Sequence, residues 1–159
     1  MVARMPALKP EHLERLALVA PDVARAAGYR LVVLFGSSAR GTPDPEDLDL
    51  GILADGLVDT VAAANLFIEA LLTQHVDIVD LRVADPLLAA AVARDAKVLH
   101  EARPGEFARF VSLAFRRYAD TRAFRELEHE ALRLRIAALR EATTWARSTG
   151  RSCAGGWPA

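Results

Sequence analysis

The sequence predicts an α/β protein in which a small mixed β-sheet carries helices packed on it, followed by a long C-terminal helix. Short β-branched runs alternate with segments of helical period along residues 10–101. Residues 106–148 contain neither glycine nor proline. The chain has 159 residues, 52% of them hydrophobic, so it can bury one globular core without a structural metal or a disulfide.

The first element is an amphipathic helix over Pro10–Ala27, ended by Gly28. Pro21 either kinks this helix or divides it into two pieces. Four short strands follow, each marked by β-branched residues or by alternation of apolar and polar residues. The expected strands are Arg30–Phe35, Asp47–Leu53, His75–Leu81 and, at a sheet edge, Lys97–Glu101. Helices at Val58–Leu72 and Pro86–Asp95 lie between them, which favours a sheet covered by helices.

The composition changes beyond Ala102. Apolar residues recur at steps of three or four through Glu106–Ser148, so we expect one long amphipathic helix or two joined end to end. The apolar stripe consists of Phe107, Phe110, Ala114, Tyr118, Thr121, Phe124, Leu127, Ala131, Leu134 and Ala138. The expected organisation is a domain over residues 1–102, a helical extension over 103–148 and, from its turn and linker composition, a disordered tail over 149–159.

Charge is distributed unevenly, although the net charge is only −1. Residues 1–102 carry 9 basic and 15 acidic side chains, and residues 103–159 carry 11 and 6. Without an overall basic field, direct nucleic-acid binding is not expected. Cys153 is the single cysteine, which excludes a cysteine-rich zinc site, and His75 and His100 are interpreted as strand-end residues. No apolar run reaches the length of a membrane span and no signal-peptide core is present, so we expect a cytoplasmic protein.

The chemically informative segment is Leu34–Leu50. A strand ends at Gly36, and Ser37 and Ser38 follow at the start of a helical turn. Backbone N–H groups at such a position, with a serine hydroxyl, can hold phosphate oxygens, and glycine lets the backbone approach them closely. Arg40 is either a further phosphate ligand, because a guanidinium matches phosphate oxygens, or a solvated turn residue.

Two carboxylates follow on the next predicted strand. Asp47 and Asp49 are two residues apart, so both side chains point to one face. Adjacent carboxylates repel each other, and oxygen ligands beside a phosphate site favour Mg²⁺ as the neutralising cation. Gly51 extends the same face and is expected to leave space for a ligand. Asp77 is the favoured third carboxylate, because its strand neighbours are apolar, whereas Asp80 is expected to cap a turn.

A Gly-Ser pair, then Asp-x-Asp, then a carboxylate on a later strand resembles the nucleotidyltransferase superfamily related to DNA polymerase beta. Here Asp47 comes ten residues after Ser37, and the resemblance covers about residues 10–101. The short chain is similar to the minimal nucleotidyltransferase (MNT) group, antitoxins encoded beside a HEPN-domain ribonuclease. Glu46 departs from the pattern, since many relatives have serine there, but the carboxylate pair is intact.

The resemblance implies a nucleotidyltransferase fold and metal-dependent transfer of AMP from ATP. It implies that Asp47, Asp49 and Asp77 hold two Mg²⁺ ions and carry the catalysis. The nucleotide-binding residues that it implies are Gly36, Ser37, Ser38 and Arg40. In MNT antitoxins the acceptor is a tyrosine of the HEPN toxin, which becomes AMPylated, as in type VII toxin–antitoxin systems.

Two other functions stay open from the sequence. One is nucleotidyl transfer to a small molecule such as an aminoglycoside, although such enzymes usually carry a further substrate-binding domain. The other is a non-catalytic antitoxin, against which the intact Asp47 and Asp49 pair argues. The distal part of the C-terminal helix, Phe124–Leu139, lies too far along the helical rise to stay over a small domain. We expect it to pack against a second chain, either a twin copy or the toxin.

Overall fold

Strands and helices alternate along the described residues, 10–42 and 45–148 of a computed structural model. Their order is α1 Pro10–Ala27, β1 Leu31–Phe35, α2 Gly36–Ala39, β2 Leu48–Leu53, α3 Thr60–Leu71, β3 Val76–Asp80, α4 Pro86–Asp95, β4 Lys97–Glu101, α5 Glu106–Asp120 and α6 Arg122–Ser148. The predicted α/β fold class is confirmed. The tail over residues 149–159, for which we predict disorder, lies outside the described residues.

The strands form one mixed sheet in the order β3-β2-β1-β4. β1 is antiparallel to both β2 and β4, whereas β2 and β3 are parallel. β4 therefore lies at an edge, as predicted. In the register of the sheet, Phe35 is opposite Asp49, and Asp49 is opposite Asp77. The end of β1 and the beginnings of β2 and β3 consequently meet at one end of the sheet, where the candidate site lies.

Each face of the sheet packs against different helices. Alternation along β2 places Leu48, Leu50 and Ile52 in a core with α1 and α3, and all three are fully buried. A second core covers the other face, where Leu31 and Val33 of β1 pack with residues of α4 and α5. Burial of each such side chain stabilises the fold by about 1.5–3 kcal/mol. Asp49 and Gly51 point to the second face.

The expectation that Gly51 leaves space for a ligand is wrong. A Cβ at this position would lie 2.8 Å from Cδ2 of Leu81 and 3.0 Å from Cγ2 of Val33. The sheet face beyond Asp49 is therefore filled by the second core, and glycine is needed there for close packing. A ligand of the carboxylates must lie at the beginning of β2, not further along it.

α1 is a single helix although it contains a proline. Pro21 lacks the N–H of a helical turn, yet the helix continues to Ala27. Leu16, Ala20 and Ala24, from both sides of the proline, are fully buried in the first core. This shared packing surface keeps the two halves together, so the division that Pro21 allows does not occur.

The glycine-free region forms two helices, one of the two predicted alternatives. α5 ends at Asp120 and α6 begins at Arg122. The chain divides into two compact units after Ala119. Within the first unit, α5 buries Phe110 and Ala114 in the second core, so that part of the apolar stripe is structural. In the described ranges, no helix combines the length and the apolar character needed to cross a membrane.

Candidate active site

Three aspartates come together where β2 and β3 begin. Asp49 and Asp77 are register partners on these parallel strands, so their side chains project from the same face. Asp47 precedes β2 by one residue. Burial raises the pKa of Asp49, and the neighbouring charges of Asp77 and Asp47 raise it further. The three carboxylates thus interact electrostatically, and their mutual repulsion is what a bound cation would relieve.

Asp80 lies on the other face of β3 and does not join this group. Its carboxylate accepts hydrogen bonds from the backbone N–H groups of Val58, at 3.0 Å, and Arg82, at 2.9 Å. The residue is buried. Asp80 therefore fixes the turn after β3 to the segment before α3, which is the capping role predicted for it.

Gly36 lies directly against Asp49. Its φ of +72° is a backbone conformation that side-chain-bearing residues rarely adopt. A Cβ on Gly36 would overlap Oδ2 of Asp49 and lie 2.9 Å from Cγ. Glycine is therefore required here both by the backbone conformation and by the space that the Asp49 carboxylate occupies.

The two serines of α2 have different surroundings. Ser38 is 3% exposed, and its hydroxyl donates a hydrogen bond to the carbonyl oxygen of Asp47 at 2.7 Å. Ser37 instead lines an open cleft of about 390 Å³. The other residues lining this cleft are Thr42, Pro45, Glu46, Asp47 and Asp49. The Ser38 hydroxyl is thus used inside the protein, and the expectation that Ser38 binds the nucleotide stays a prediction.

Arg40 is the cation next to the carboxylate group. Burial, Asp77 and Asp47 raise the pKa of Asp49, and the positive charge of Arg40 acts in the opposite direction. Arg40 also contributes, after the hydrogen bond from Arg94, to lowering the pKa of Asp95 at the end of α4. The exposed guanidinium is thus close enough to act electrostatically on both Asp49 and Asp95. From this position it is available to an anionic ligand of the carboxylate site.

His75 is a neighbour of the carboxylates that sequence reasoning missed. Its Nδ1 lies 3.2 Å from Oδ1 of Asp47. The available signal was its spacing, because His75 precedes Asp77 by two residues and alternate strand residues share a face. The interpretation of His75 as only a strand-end residue is therefore incomplete.

The donor set fits a cation that binds together with a nucleotide. Carboxylate oxygens are the ligands that Mg²⁺ prefers. Among the described residues, no group of three or more histidine, cysteine or acidic side chains could hold a metal ion by itself. Mg²⁺ is, however, usually held by one or two carboxylates plus substrate phosphates. Asp47 and Asp49, with Ser37 lining the same cleft, suit an ion whose remaining ligands come from a triphosphate.

Comparison with known proteins points to the same chemistry. The profile of the family "Polymerase beta, Nucleotidyltransferase" matches residues 24–104, just over half of the chain. This range contains Gly36, Ser37 and the three aspartates Asp47, Asp49 and Asp77. No curated protein matches the sequence.

Several solved structures share the fold. A toxin–antitoxin structure with AMP-PNP is 25% identical at a TM-score of 0.64, covering 74% of this chain and 97% of that chain. A toxin–antitoxin MntA–HepT structure is also 25% identical, with a TM-score of 0.59 and coverage of 76% and 97%. A third structure contains the tri-AMPylated HEPN toxin of Shewanella oneidensis in complex with MNT antitoxin. Its matching chain is 24% identical, with a TM-score of 0.62 and coverage of 76% of this chain and 98% of that chain.

Proposed function

Because this chain belongs to the polymerase beta nucleotidyltransferase family, we propose that it transfers AMP from ATP to a tyrosine of a HEPN toxin and so acts as its antitoxin. The observation that carries the proposal is the convergence of Asp47, Asp49 and Asp77 next to Gly36, beside an open cleft. The two toxin–antitoxin structures described above, one of them with AMP-PNP, support a toxin as the partner and an adenine nucleotide as the substrate.

In the proposed reaction, the acceptor oxygen attacks the α-phosphorus of ATP. A new P–O bond forms there, the bond from the α-phosphorus to the bridging oxygen breaks, and pyrophosphate leaves. Asp47 and Asp49 would hold Mg²⁺, which when bound neutralises phosphate charge and polarises the transferred group. Asp77 would accept the proton of the incoming hydroxyl, and its exposure beside Asp49 supports this role. Ser37 and Arg40 would bind the phosphates.

The proposal is tested by incubating the full chain with the HEPN protein encoded beside it and with labelled ATP, GTP, CTP or UTP. We expect label on a toxin tyrosine from ATP, identified by mass spectrometry. EDTA should abolish transfer and added Mg²⁺ or Mn²⁺ should restore it, because the single positive charge of Arg40 is too small to neutralise three carboxylates and a triphosphate.

Three outcomes would contradict this proposal in different ways. Undiminished transfer in EDTA would show that the carboxylates are not metal ligands. Label on an aminoglycoside but not on the toxin would indicate a small-molecule enzyme. Toxin inhibition without any label would indicate an antitoxin that acts by binding alone.

The two serines of α2 should separate nucleotide binding from folding. Ser37→Ala should weaken use of ATP by roughly 1–2 kcal/mol, the scale of one hydrogen bond to a charged phosphate. Ser38→Ala removes the hydrogen bond to the Asp47 carbonyl, so it should lower the free energy of unfolding by about 1 kcal/mol with a smaller effect on ATP use. The KM for ATP and urea unfolding measure the two effects. A larger KM increase for Ser38→Ala would show that the phosphate contacts lie one residue further along.

We further propose that α6 binds a second chain. Large apolar side chains recur along it and are exposed by more than half: Phe124 by 72%, Leu127 by 68%, Leu134 by 65% and Leu139 by 63%. Exposed apolar residues at helical spacing are typical of a helix that packs against a partner. The partner is either a twin copy or the toxin.

Truncation after Asp120 should therefore leave a folded domain that binds ATP but has lost association with its partner. The first unit keeps both of its cores without α6, which is why it should stay folded. Size-exclusion chromatography with light scattering, with and without the toxin, measures the assembly. The Phe124→Ser/Leu134→Ser variant tests the same surface in the full-length chain. It should lose association with the partner as the truncation does. An unchanged assembly state in both would exclude α6 as the interface.

A further inference from the structure

His75 links the beginning of β3 to the residue that precedes β2. Its backbone carbonyl accepts a hydrogen bond from the N–H of Leu48 at 2.9 Å. Its imidazole Nδ1 lies 3.2 Å from Oδ1 of Asp47. Because an ionised carboxylate can only accept hydrogen bonds, Nδ1 is the donor in this pair. The same residue thus contacts the strand through its backbone and the Asp47 carboxylate through its side chain.

The other ring nitrogen shows what fixes the imidazole. Nε2 of His75 is buried and has no hydrogen-bond partner among the residues that the structure describes. The side chain as a whole is 22% exposed. Turning the ring over would replace Nδ1 by a carbon atom and break the bond to Asp47. The contact with Asp47 is therefore the polar interaction that sets the orientation of this ring.

Asp47 needs such a contact more than Asp49 does. Asp49 is held by partial burial, with Gly36 against its carboxylate and Asp77 as its register partner. The side chain of Asp47 is 47% exposed, so packing alone restricts it little. Its backbone carbonyl is fixed by the Ser38 hydroxyl, and its side chain is fixed by His75. With Oδ1 engaged, Oδ2 is left for a ligand.

We propose that His75 is a positioning residue, which holds Asp47 in the orientation that binds a divalent cation together with the nucleotide triphosphate. The proposal rests on the proposed function, in which Asp47 is a metal ligand. A hydrogen bond to a ligating carboxylate restricts its rotation, and loss of such a bond typically lowers metal affinity by 10–100-fold. In this proposal the metal site depends on a third side chain, that of His75, which contacts Asp47 and not the metal.

The test measures Mn²⁺ binding to the full chain in the presence of an ATP analogue whose α and β phosphorus atoms are joined by methylene, which cannot be cleaved. His75→Leu should weaken Mn²⁺ binding by about 10–100-fold. His75→Asn should bind nearly as tightly as the parent, because its amide nitrogen occupies about the place of Nδ1. In transfer assays, His75→Leu should need more Mn²⁺ for half-maximal rate and approach the parental kcat at saturating Mn²⁺.

His100→Leu is the matched control. Nε2 of His100 is also buried without a partner in the described part of the chain, but His100 lies on β4, at the opposite edge of the sheet, facing Val32 in the register. His100→Leu removes an imidazole that likewise has a buried Nε2, and it should leave Mn²⁺ binding unchanged. Thermal unfolding of each variant checks that the fold is kept. Equal loss of Mn²⁺ binding in His100→Leu and His75→Leu would overturn the inference, since the effect would then be one of general packing.

Two results separate this inference from the proposed function. If Asp47→Asn binds Mn²⁺ weakly while His75→Leu binds it like the parent, the inference is wrong and the proposed function stands. If the parent binds no Mn²⁺ with the analogue, or Asp47→Asn binds it equally well, the metal role of Asp47 fails and the inference with it. Should His75→Leu not fold, His75→Gln replaces it, because its amide extends one bond beyond the Nδ1 position. Equal affinity of the Asn and Gln variants would then overturn the inference.

Discussion

Asp49→Asn and Asp47→Asn should each lower the rate of AMP transfer by at least about a hundredfold, the scale of removing a group that stabilises charge in a transition state. Asparagine has the shape of aspartate but no charge with which to hold a cation against the phosphates. Single-turnover rates at fixed Mg²⁺ measure the loss. Asp80→Asn, on the same strand as Asp77, is the control and should keep the rate, because its carboxylate only caps a turn. Full activity in the double variant of Asp47 and Asp49 would contradict the metal site.

Asp49→Asn should at the same time stabilise the metal-free protein at neutral pH. Burial, then Asp77 and Asp47, raise the pKa of Asp49 above its ordinary value of 3.8, so the folded state binds this proton more tightly than the unfolded state. This carboxyl therefore contributes less stability as the pH rises from below 3.8 through the raised pKa. In urea unfolding with EDTA, Asp49→Asn should have the higher free energy of unfolding at pH 7, and the difference from the parent should become smaller towards pH 4. A variant less stable than the parent at pH 7 would show that the charge of Asp49 is compensated in the fold.

Gly36→Ala should reduce transfer by about a hundredfold, which is the scale of displacing a catalytic group by roughly 1 Å. The new Cβ would overlap Oδ2 of Asp49, so either the carboxylate or the start of α2 must move. A side chain at positive φ also costs roughly 1–2 kcal/mol of strain, which lowers stability but need not affect catalysis.

Gly28→Ala separates the two effects. Gly28 has the same φ of +72°, and a Cβ there would meet nothing within 4 Å. Both variants should lose similar stability in urea unfolding, and only Gly36→Ala should lose transfer activity. Equal activity of the two variants would show that the contact between Gly36 and Asp49 has no catalytic importance.

The parts of the site that follow strand periodicity could be predicted from the sequence. Leu48 and Leu50 are buried, and Asp49 points to the opposite face, because side chains alternate along β2. Asp77 joins Asp49 for the same reason, once β2 and β3 are paired in parallel. Asp80, three residues after Asp77, falls on the other face and caps a turn. These outcomes depend on local pattern, which a single sequence contains.

The missed features depend on what packs across the fold. From the sequence, the missing side chain of Gly51 suggests room for a ligand, but Leu81 fills the space beside it. Ser37 and Ser38 are indistinguishable as residue types, and only the approach of the Asp47 carbonyl decides which hydroxyl is used internally. His75 and Asp47 lie 28 positions apart in the chain, and they meet because each directly precedes one of two paired strands. Such contacts are set by register and by packing distance, neither of which the local pattern encodes.

The parallel pairing of β2 with β3 also has a consequence for the order in which the site forms. β1 and β2 are antiparallel and joined through α2, so Gly36 and Asp49 can meet early in folding. Asp77 can arrive only after the crossover through α3 has closed, and parallel pairing over such a loop is among the slower events of folding. A nascent chain still lacking β3 would thus have Gly36 and Asp49 together but not the third carboxylate. We therefore expect the three aspartates to come together only when β3 has paired with β2.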